Sequence, residues 1–414
     1  PDTAENNADD NQYAIISGND YFPEMLVGRF SFGDLNEFLT MTNKTIYYER
    51  NPFVGDPSWM SKGLFVAGNW AEGNLRPITP VQMSRSVRER MLEYGYAAID
   101  TVFYPPTYPG TSAIQQSISQ GAGVIMYRGW GDANGWHYPY FHIPDLAGTF
   151  NGPKMPIVYS IVCNTGDFAN TVNPNFGERW MRMGTPASPS GAVAFVGPSD
   201  LHTKTRFNNS VSTGMIRYIH DYHGRIFGTS VLTGKIELYN NFPNNQGPND
   251  HVEFYFRVYN ILSDPSLNMW ILQPNTIAQS VIQGGLSFAQ STSHVRIEGA
   301  NLNGAIVTGT KDGIDYSFTR VENGLAILSI NPEQEGDLLV TVTKQNFLPL
   351  VATMTPTQTA GIGIVGNSLG GTFINPNGDY NLVLTFKNYS GNAQSNVPVV
   401  LHTTADNMVT ISNA

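Results

Sequence analysis

The chain up to about residue 272 alternates between short apolar runs and longer amphipathic stretches, and this alternation restricts the fold more than any other feature. Short apolar runs predict buried strands, whereas apolar residues at helical spacing predict helices that cover a sheet. Strands and helices in alternation are typical of a parallel sheet with helices on its faces, so we predict an α/β unit. The predicted strands are 25–30, 63–68, 98–104, 123–127, 157–163 and 192–197. The predicted helices are 35–49, 83–94, 111–120, 176–183, 210–223, 230–240 and 253–263.

The pattern changes after the segment Asp264-Pro265-Ser266-Leu267. From about residue 274 to 355, short runs alternate apolar and polar residues at a spacing of about ten, with turn-forming residues between them. This pattern predicts a small antiparallel β-sandwich. A stretch rich in Thr, Pro and Gly then leads to more strand-like sequence. We therefore divide the chain into an α/β domain (1–272), a β-sandwich (273–355) and the start of a further β-domain (356–414).

Charged residues make up only 14% of the chain, a low fraction that resembles secreted or cell-surface proteins more than cytosolic ones. The net charge of −10 and the lack of a Lys and Arg cluster argue against binding to nucleic acid. No apolar stretch reaches the roughly 18 residues of a transmembrane segment. The first residues run from a loop directly into strand-like sequence. We therefore expect the N-terminal part of the α/β domain, and any export signal, to lie upstream of this chain.

Cys163 is the only cysteine, and it ends the apolar run 156–163. Ligands and catalytic groups of open α/β sheets lie at the carboxyl ends of the parallel strands. A thiol at such a strand end is therefore the first candidate for a nucleophile. The strand expected beside it, 123–127, leads on to Trp130 and Gly131.

Five segments are recognisable together and in a fixed order: 13–30 (YAIISGNDYFPEMLVGRF), 43–52 (NKTIYYERNP), 162–168 (VCNTGDF), 225–228 (RIFG) and 262–267 (LSDPSL). In these segments the chain resembles the gingipain-type cysteine peptidases, over about residues 13–355. The resemblance implies a caspase-like three-layer sandwich with a mostly parallel sheet, followed by an immunoglobulin-like β-sandwich. It also implies a secreted or bacterial cell-surface protein that is exported by type IX secretion.

In that family a catalytic His-Gly pair follows a strand ending in Tyr-Thr-Gly, and the catalytic Cys ends the next strand. Here the matching strand ends in Tyr127-Arg128-Gly129 and is followed by Trp130 and Gly131. The resemblance thus assigns Cys163 to the nucleophile position and Gly131 to the glycine. Trp130 occupies the place of the histidine.

The family also uses acidic residues in its site. One orients the histidine, and Glu72 is the nearest candidate for it. In the arginine-cleaving members another acid, in the following loop, binds the basic side chain. The loop 73–80 of this chain contains no carboxylate, so specificity for Arg or Lys is not implied.

Trp130 cannot replace a histidine, because an indole N–H donates a hydrogen bond but accepts no proton. Loss of a general base costs on the order of 10²- to 10⁴-fold in rate. His137, in the aromatic loop 136–142, is the alternative base if this loop folds back over the thiol, and otherwise it packs among aromatic residues. We interpret His142 as the structural start of the next element. The pair His223-Gly224 comes after the cysteine, in the wrong order for the family.

Two features have both a structural and a functional interpretation. Cys163 is either a retained nucleophile or a small buried hydrophobic residue. Several aromatic residues could line a cleft that binds peptides or glycans, or could pack in the core and under loops. These residues are Trp70, Trp130, Trp136, Tyr138, Tyr140 and Phe141.

The acidic stretch 2–10 and the Asn19-Asp20 loop offer the oxygen ligands that calcium prefers. Calcium sites are usual in the family that the chain resembles, so Asp20 is the candidate calcium ligand. The alternative is a solvated acidic loop. One cysteine and scattered histidines give no zinc-binding spacing, and no other cofactor is predicted.

The sequence therefore favours a gingipain-like peptidase homologue with impaired catalysis that acts in binding or structure. One alternative is an active secreted cysteine endopeptidase with Cys163 as its nucleophile. Another is a transpeptidase or processing enzyme derived from such a peptidase. We expect the partner to be a protein or peptide ligand, either the domain's own upstream half or another surface chain.

Overall fold

The computed structural model describes residues 7–69, 79–283, 293–311, 314–330, 337–355, 362–369, 378–388 and 393–397. The described residues form two compact units. The first contains the residues up to Asn275 together with Gln345–Leu348, and the second contains Thr276–Lys344 and the residues from Pro349 onward. Among the described residues no helix has the length and apolar character of a membrane span.

The first unit contains the described α-helices and the parallel strands. Its helices are α1 (Leu35–Arg50), α2 (Pro80–Tyr94), α3 (Thr111–Gln120), α4 (Phe176–Arg182), α5 (Thr205–His220), α6 (Phe227–Asn241) and α7 (His251–Val258). Its strands are β1 (Lys62–Gly68), β2 (Ala98–Tyr104), β3 (Val124–Arg128), β4 (Gly131–Asp132), β5 (Gly135–Trp136), β6 (Phe141–His142), β7 (Ile157–Ile161), β8 (Gly184–Thr185), β9 (Ser188–Pro189), β10 (Ala194–Pro198) and β11 (Tyr259–Leu262).

A six-stranded sheet with the order β11-β10-β7-β3-β1-β2 forms the centre of this unit. Strands β1, β2, β3, β7 and β10 are parallel, and β11 runs antiparallel to β10 at one edge. Every residue of β3, β7 and β10 is buried, as expected for parallel strands that are covered on both faces.

The helices pack on both faces of the sheet, as the sequence predicts. Successive residues of a strand point to opposite faces. Met126 therefore joins one apolar cluster, together with side chains of α2, α5, α6 and α7. Its neighbour Ile125 joins a second cluster, which includes side chains of α3 and α4. The two clusters bury the two faces of the same sheet.

Two predicted elements are wrong. Residues 25–30 form no strand, although the Arg29 N–H donates to Ile261 O of β11 at 2.9 Å. The helix predicted at 253–263 ends at Val258, and the chain continues directly as β11. The aromatic and branched residues of β11 are all buried and pair with β10, and this tertiary contact outweighs the local helical pattern. Strand β7 also ends two residues before Cys163.

The second unit is made of antiparallel strands. They are β12 (Ile282–Gln283), β13 (Ser293–Glu298), β14 (Ile306–Lys311), β15 (Ile314–Arg320), β16 (Leu325–Ile330), β17 (Leu338–Thr343), β18 (Leu350–Met354), β19 (Ile362–Ser368) and β20 (Val383–Asn388). Two sheets, β12-β13-β16 and β15-β14-β17-β18, bury alternate residues, and β19 pairs with β20. Gly309 lies against Ile330 of the other sheet, so the two sheets face each other. The immunoglobulin-like assignment and the domain boundaries stay predictions.

Candidate functional site

The candidate site lies where the carboxyl ends of β3, β7 and β10 meet. Arg128 at the end of β3 pairs with Ile161 at the end of β7, and β10 is the neighbour of β7 on the other side. Cys163 follows β7 and therefore lies between two loops. We call residues 129–142 the β3 loop and residues 199–204 the β10 loop. The β3 loop begins beside the thiol on one side, and the β10 loop begins on the other.

The thiol of Cys163 is buried and hydrogen-bonded to the β10 loop. Its Sγ lies 3.1 Å from Thr203 Oγ1 and 3.7 Å from Thr203 O, and the residue is 7% exposed. The Thr203 hydroxyl donates to Val162 O at 2.7 Å, so its oxygen is left to accept a hydrogen bond from the thiol. Within the described residues no imidazole nitrogen is a hydrogen-bond partner of this sulfur.

Burial is the main influence on the acidity of this thiol. It raises the pKa of Cys163 above its usual value, and the nearby charge of Asp200 acts in the same direction. The Thr203 contact and the positive charge of Arg128 lower this pKa, but less than burial raises it. While it is buried against Thr203, the thiol is therefore protonated at neutral pH, and only the thiolate is a good nucleophile.

Trp130 lies at the start of the β3 loop, where its backbone is held firmly. Its carbonyl accepts hydrogen bonds from Tyr127 Oη at 2.7 Å and from the His137 N–H at 3.0 Å. Its ring packs on the His137 ring with centroids 4.1 Å apart. Gly131 follows in β4, and a Cβ on Gly131 would lie 2.7 Å from Gly135 O across the hairpin. A side chain at this glycine would therefore force the hairpin apart.

His137 belongs to an acid–imidazole pair within the β3 loop. Its Nε2 lies 3.1 Å from Asp132 Oδ2, at ion-pair distance but without hydrogen-bond alignment. Its ring also meets the edge of His142 at 4.7 Å. Partial burial opposes ionisation of Asp132, but His137 and the Asn134 N–H outweigh it and lower the pKa of Asp132 to about 2. The imidazole of His137 is therefore paired with Asp132, and it makes no hydrogen bond to the thiol.

The other two histidines named from the sequence lie in structural positions. The His142 N–H donates to Asp145 Oδ2 at 2.7 Å at the start of a short 3₁₀ helix. Burial lowers the pKa of His142. His223 follows α5 and packs on the ring of Tyr94 at 5.6 Å.

The aromatic residues divide into core and surface. Trp136 and Phe141 are fully buried, and Trp136 stacks on Tyr127 at 4.5 Å. Tyr138 and Tyr140 are partly exposed. Tyr138 lies 5.5 Å from Tyr104 and 5.1 Å from Tyr108, and these three rings form an aromatic cluster beside Trp130.

A second acid–imidazole pair lies in the β10 loop. Asp200 Oδ1 accepts a hydrogen bond from the His202 N–H at 2.5 Å and lies 3.0 Å from His202 Nδ1. The carbonyl of Asp200 accepts from the Asn164 N–H at 2.9 Å, directly after Cys163. This pair was not predicted from the sequence. The sequence does contain an indication, because Asp200-Leu201-His202 follows a predicted strand. It points to the cysteine only when β10 is known to be the neighbour of β7.

Arg128 is a further residue of the site whose role was not predicted from the sequence. Its guanidinium is fully buried and donates to Ile161 O at 2.6 Å, to Thr205 O at 3.2 Å and to Asn209 Oδ1. No carboxylate is among these partners in the described part of the chain. Burial lowers the pKa of Arg128 to about 10, so it remains a cation at neutral pH. A positive charge without a carboxylate partner therefore lies under the site.

The remaining predicted residues lie outside the described part of the chain or have no ligand set. Glu72, Trp70 and residues 73–78 lie outside the described residues. Asp20 is exposed, and its Oδ1 accepts a hydrogen bond from the Phe22 N–H at 2.9 Å. Among the described residues no group of three or more His, Cys, Asp or Glu side chains could hold a metal ion. Calcium binding at Asp20 stays a prediction.

The structure is similar to solved cysteine peptidases. It matches the crystal structure of the Arg-specific cysteine proteinase gingipain R with a TM-score of 0.74 and 23% identity, over 84% of this chain and 79% of that one. It matches a complex of Porphyromonas gingivalis RgpB pro- and mature domains with a TM-score of 0.74 and 24% identity, over 84% and 81% of the two chains. These likenesses confirm the caspase-like fold class.

The sequence comparisons point to the same group. Gingipain R2 of P. gingivalis is 25% identical over 350 residues, which are 83% of this chain and 45% of that protein. Gingipain R1 of P. gingivalis is 24% identical over 352 residues, which are 83% of this chain and 34% of that protein. The chain thus spans less than half the length of these relatives. The model of peptidase family C25 matches residues 3–270, which is more than half of the chain, and the chain therefore belongs to this family of gingipain-type cysteine peptidases.

Proposed function

We propose that this chain is a gingipain-like peptidase domain with impaired catalysis, which acts in binding or structure within a secreted or cell-surface bacterial protein. One observation above all supports the proposal. Trp130 follows β3 at the position that the resemblance matches to the catalytic histidine, while the Cys163 thiol is buried and hydrogen-bonded to Thr203 rather than to an imidazole.

The chemistry of the side chains explains why such a site would be slow. A peptidase needs a thiolate and a proton donor for the leaving amine. The indole of Trp130 can supply neither, because it has no nitrogen that accepts a proton. Burial also raises the pKa of the thiol, which reduces the thiolate population at neutral pH. We expect turnover to be lower than that of an intact dyad by at least about 10²-fold.

The aromatic cluster of Tyr104, Tyr108 and Tyr138 supports a binding role. Tyr108 is half exposed, and the rings lie at the same edge of the sheet as Cys163 and Trp130. Flat aromatic surfaces of this kind suit a peptide segment. One structural relative is a complex of pro- and mature domains, and we propose a protein segment as the ligand here too.

The test is a comparison of peptide cleavage between the purified chain and its Cys163→Ala variant. Substrates should include Arg and Lys reporters and a mixed peptide library, because the residues that would set specificity lie outside the described part. We expect equal rates for the two proteins. Cleavage that depends on Cys163 and reaches the rate of an ordinary peptidase would overturn the proposal.

A second candidate function is an active endopeptidase or transpeptidase with Cys163 as nucleophile. The Asp200–His202 pair favours it, because this pair lies in the loop that contacts the thiol. An activated ester would then acylate Cys163, and intact mass would show the adduct. Release by water would indicate a hydrolase, whereas release only by an added amine would indicate a transpeptidase.

A further inference from the structure

We propose that His202, oriented by Asp200, is the proton acceptor for the Cys163 thiol. The inference rests on the second candidate function, in which Cys163 keeps a chemical role. It replaces the missing histidine after β3 with one from the β10 loop, on the opposite side of the cysteine. A base in the β10 loop would accept the proton of the same thiol, that of Cys163.

Two contacts tie the loop around His202 to the cysteine. Asp200 O accepts from the N–H of Asn164, the residue after Cys163, at 2.9 Å. Thr203 Oγ1 lies 3.1 Å from the Cys163 sulfur. His202 is between these two contact points in the chain, and successive Cα atoms are about 3.8 Å apart. The backbone of His202 is therefore fixed beside the turn that bears the thiol.

Asp200 sets the form of the imidazole. Its side chain is 2% exposed, whereas that of His202 is 60% exposed. Because Nδ1 of His202 faces Asp200 Oδ1 at 3.0 Å, Nδ1 is the nitrogen that donates. The other nitrogen, Nε2, then has the lone pair that accepts a proton.

The charges around the site match the products of the proton transfer. Transfer from the thiol to His202 creates a thiolate and an imidazolium. Asp200 faces the imidazolium, and the buried cation Arg128 has no carboxylate partner among the described residues. The positive charge of Arg128 acts on Cys163 in the direction that favours the thiolate. Each product therefore has an opposite charge nearby, and the effect of Arg128, which lowers the pKa of the thiol, is larger than the opposing effect of Asp200.

The S–H proton of Cys163 moves to His202 Nε2, after the thiol turns away from Thr203. The thiolate electron pair forms a C–S bond with a peptide carbonyl carbon, and the C=O π pair moves to the oxygen. When that pair returns, the C–N bond breaks and the leaving nitrogen takes the proton from His202. Water or an amine then attacks the thioester carbonyl carbon and gives a proton to His202 Nε2, and the C–S bond breaks with its electron pair on the sulfur, which takes the proton back.

The test is alkylation of Cys163 by iodoacetamide between about pH 5.5 and 9, a range that spans the usual pKa values of His and Cys. Cys163 is the only cysteine, so intact mass reports its labelling alone. A thiolate–imidazolium pair stays reactive below the pKa of a lone thiol. The titratable and charged groups that act on the thiol are Arg128, Asp200, Tyr127, Tyr255 and Tyr259, and they are unchanged in the His202 variant.

We expect His202→Gln to slow labelling at about pH 6.5 by about tenfold. It should also remove the low-pH limb of the profile of labelling rate against pH, that is, the labelling that persists below the pKa of a lone thiol. His137→Gln is the matched control, because it removes the other acid-paired imidazole, and it should stay within about twofold of the wild type. An equal or faster rate in His202→Gln overturns the inference. So does a wild-type profile with a single inflection at the raised thiol pKa.

Asp200→Asn is the second variant, for use if His202→Gln does not fold. It keeps the shape of the loop but removes the charge that faces the imidazole, and we expect it to lose the low-pH limb as well. Retention of that limb in Asp200→Asn would contradict the inference. Alkylation needs no peptide turnover, so an inactive peptidase with a His202-dependent profile supports both the impaired function and this assignment.

Discussion

The two loops that flank Cys163 each contain an acid–imidazole pair, yet the pairs lie in different surroundings. In the β3 loop, His137 is 18% exposed, faces Asp132 and packs between Trp130 and His142. In the β10 loop, His202 is 60% exposed and adjoins the residue that contacts the thiol. An Asp–His contact alone is therefore a poor sign of catalysis. The contacts that each loop makes with the cysteine distinguish the two.

The largest expected effect comes from a substitution that disturbs the β3 loop and leaves the β10 loop unchanged. A Cβ on Gly68, at the end of β1, would lie 1.9 Å from the carbonyl oxygen of Tyr138 in the β3 loop. Because backbone must move to relieve this clash, we expect Gly68→Ala to lower the free energy of unfolding by about 3 kcal/mol. The five tryptophans that the structure describes lie in the first unit, so denaturation followed by tryptophan fluorescence reports on this unit.

Gly247 is the matched control, since a Cβ there would meet no atom within 4 Å. Gly247→Ala should change stability by less than about 0.5 kcal/mol. In the folded Gly68→Ala protein, labelling of Cys163 should stay within about twofold of the wild type, because the β10 loop is untouched. A strong loss of labelling would mean that the β3 loop also controls the thiol.

The sequence predicted the sheet better than it predicted the site. The apolar runs of β1, β3, β7 and β10 are buried over nearly their whole length, whereas the edge strand β2 is only partly buried, and the pattern identifies all five to within two residues. Strand β11 was missed because it directly follows a helix and exists only through its pairing with β10. For the same reason the β10 loop was missed. The order of strands in the sheet decides which loops flank Cys163. Local hydrophobic patterns in the sequence do not reveal this order, because it depends on pairing between distant segments.

The second prediction tests whether the buried charge between the loops acts on the thiol. Arg128→Met removes the cation while keeping much of the apolar stem, and we expect labelling at neutral pH to fall about tenfold because the thiolate loses its nearby positive charge. Methionine leaves the acceptors Ile161 O, Thr205 O and Asn209 Oδ1 without this donor, so we expect the variant to be less stable, and its labelling is measured on the folded protein. Arg217→Met removes a partly exposed arginine paired with Glu237 and should leave labelling unchanged. An unchanged rate in Arg128→Met would refute the electrostatic role.

The third prediction concerns acid stability of the β3 loop. The pKa of Asp132 in the folded state, about 2, is below its unfolded value of about 3.9. Its contribution to stability is therefore complete above about pH 4 and is lost as the pH falls through about 2. We expect Asp132→Asn to be less stable than the wild type by about 1 kcal/mol at neutral pH, after allowance for solvent screening.

Acid unfolding of the two proteins should show this difference closing between about pH 4 and 2. A difference that does not change with pH would mean that Asp132 acts by packing rather than by charge. Labelling of Cys163 in Asp132→Asn should match the wild type, because the Asp132–His137 pair makes no hydrogen bond to the thiol.

The smallest expected effect asks whether the β3 loop can still supply a base. We introduce Trp130→His into the His202→Gln protein, so that the only new imidazole lies after β3. The backbone at residue 130 is held by Tyr127 and His137, and Asp132, the acid already in this loop, is engaged by His137. A histidine there would therefore lack an orienting acid in the described part of the loop. We expect labelling at about pH 6.5 to rise only about two- to threefold, well short of the wild-type rate.

Trp130→Gln in the same His202→Gln background is the matched control. It removes the same indole ring from its contact with His137 at 4.1 Å, but adds no group that accepts a proton. A rise in Trp130→Gln equal to that in Trp130→His would show that relief of packing, not an imidazole, exposes the thiol. Recovery of the wild-type labelling rate in Trp130→His, but not in Trp130→Gln, would reverse the roles assigned to the two loops. The β3 loop would then be a competent catalytic loop whose one defect is its tryptophan, and the β10 loop would be its structural support.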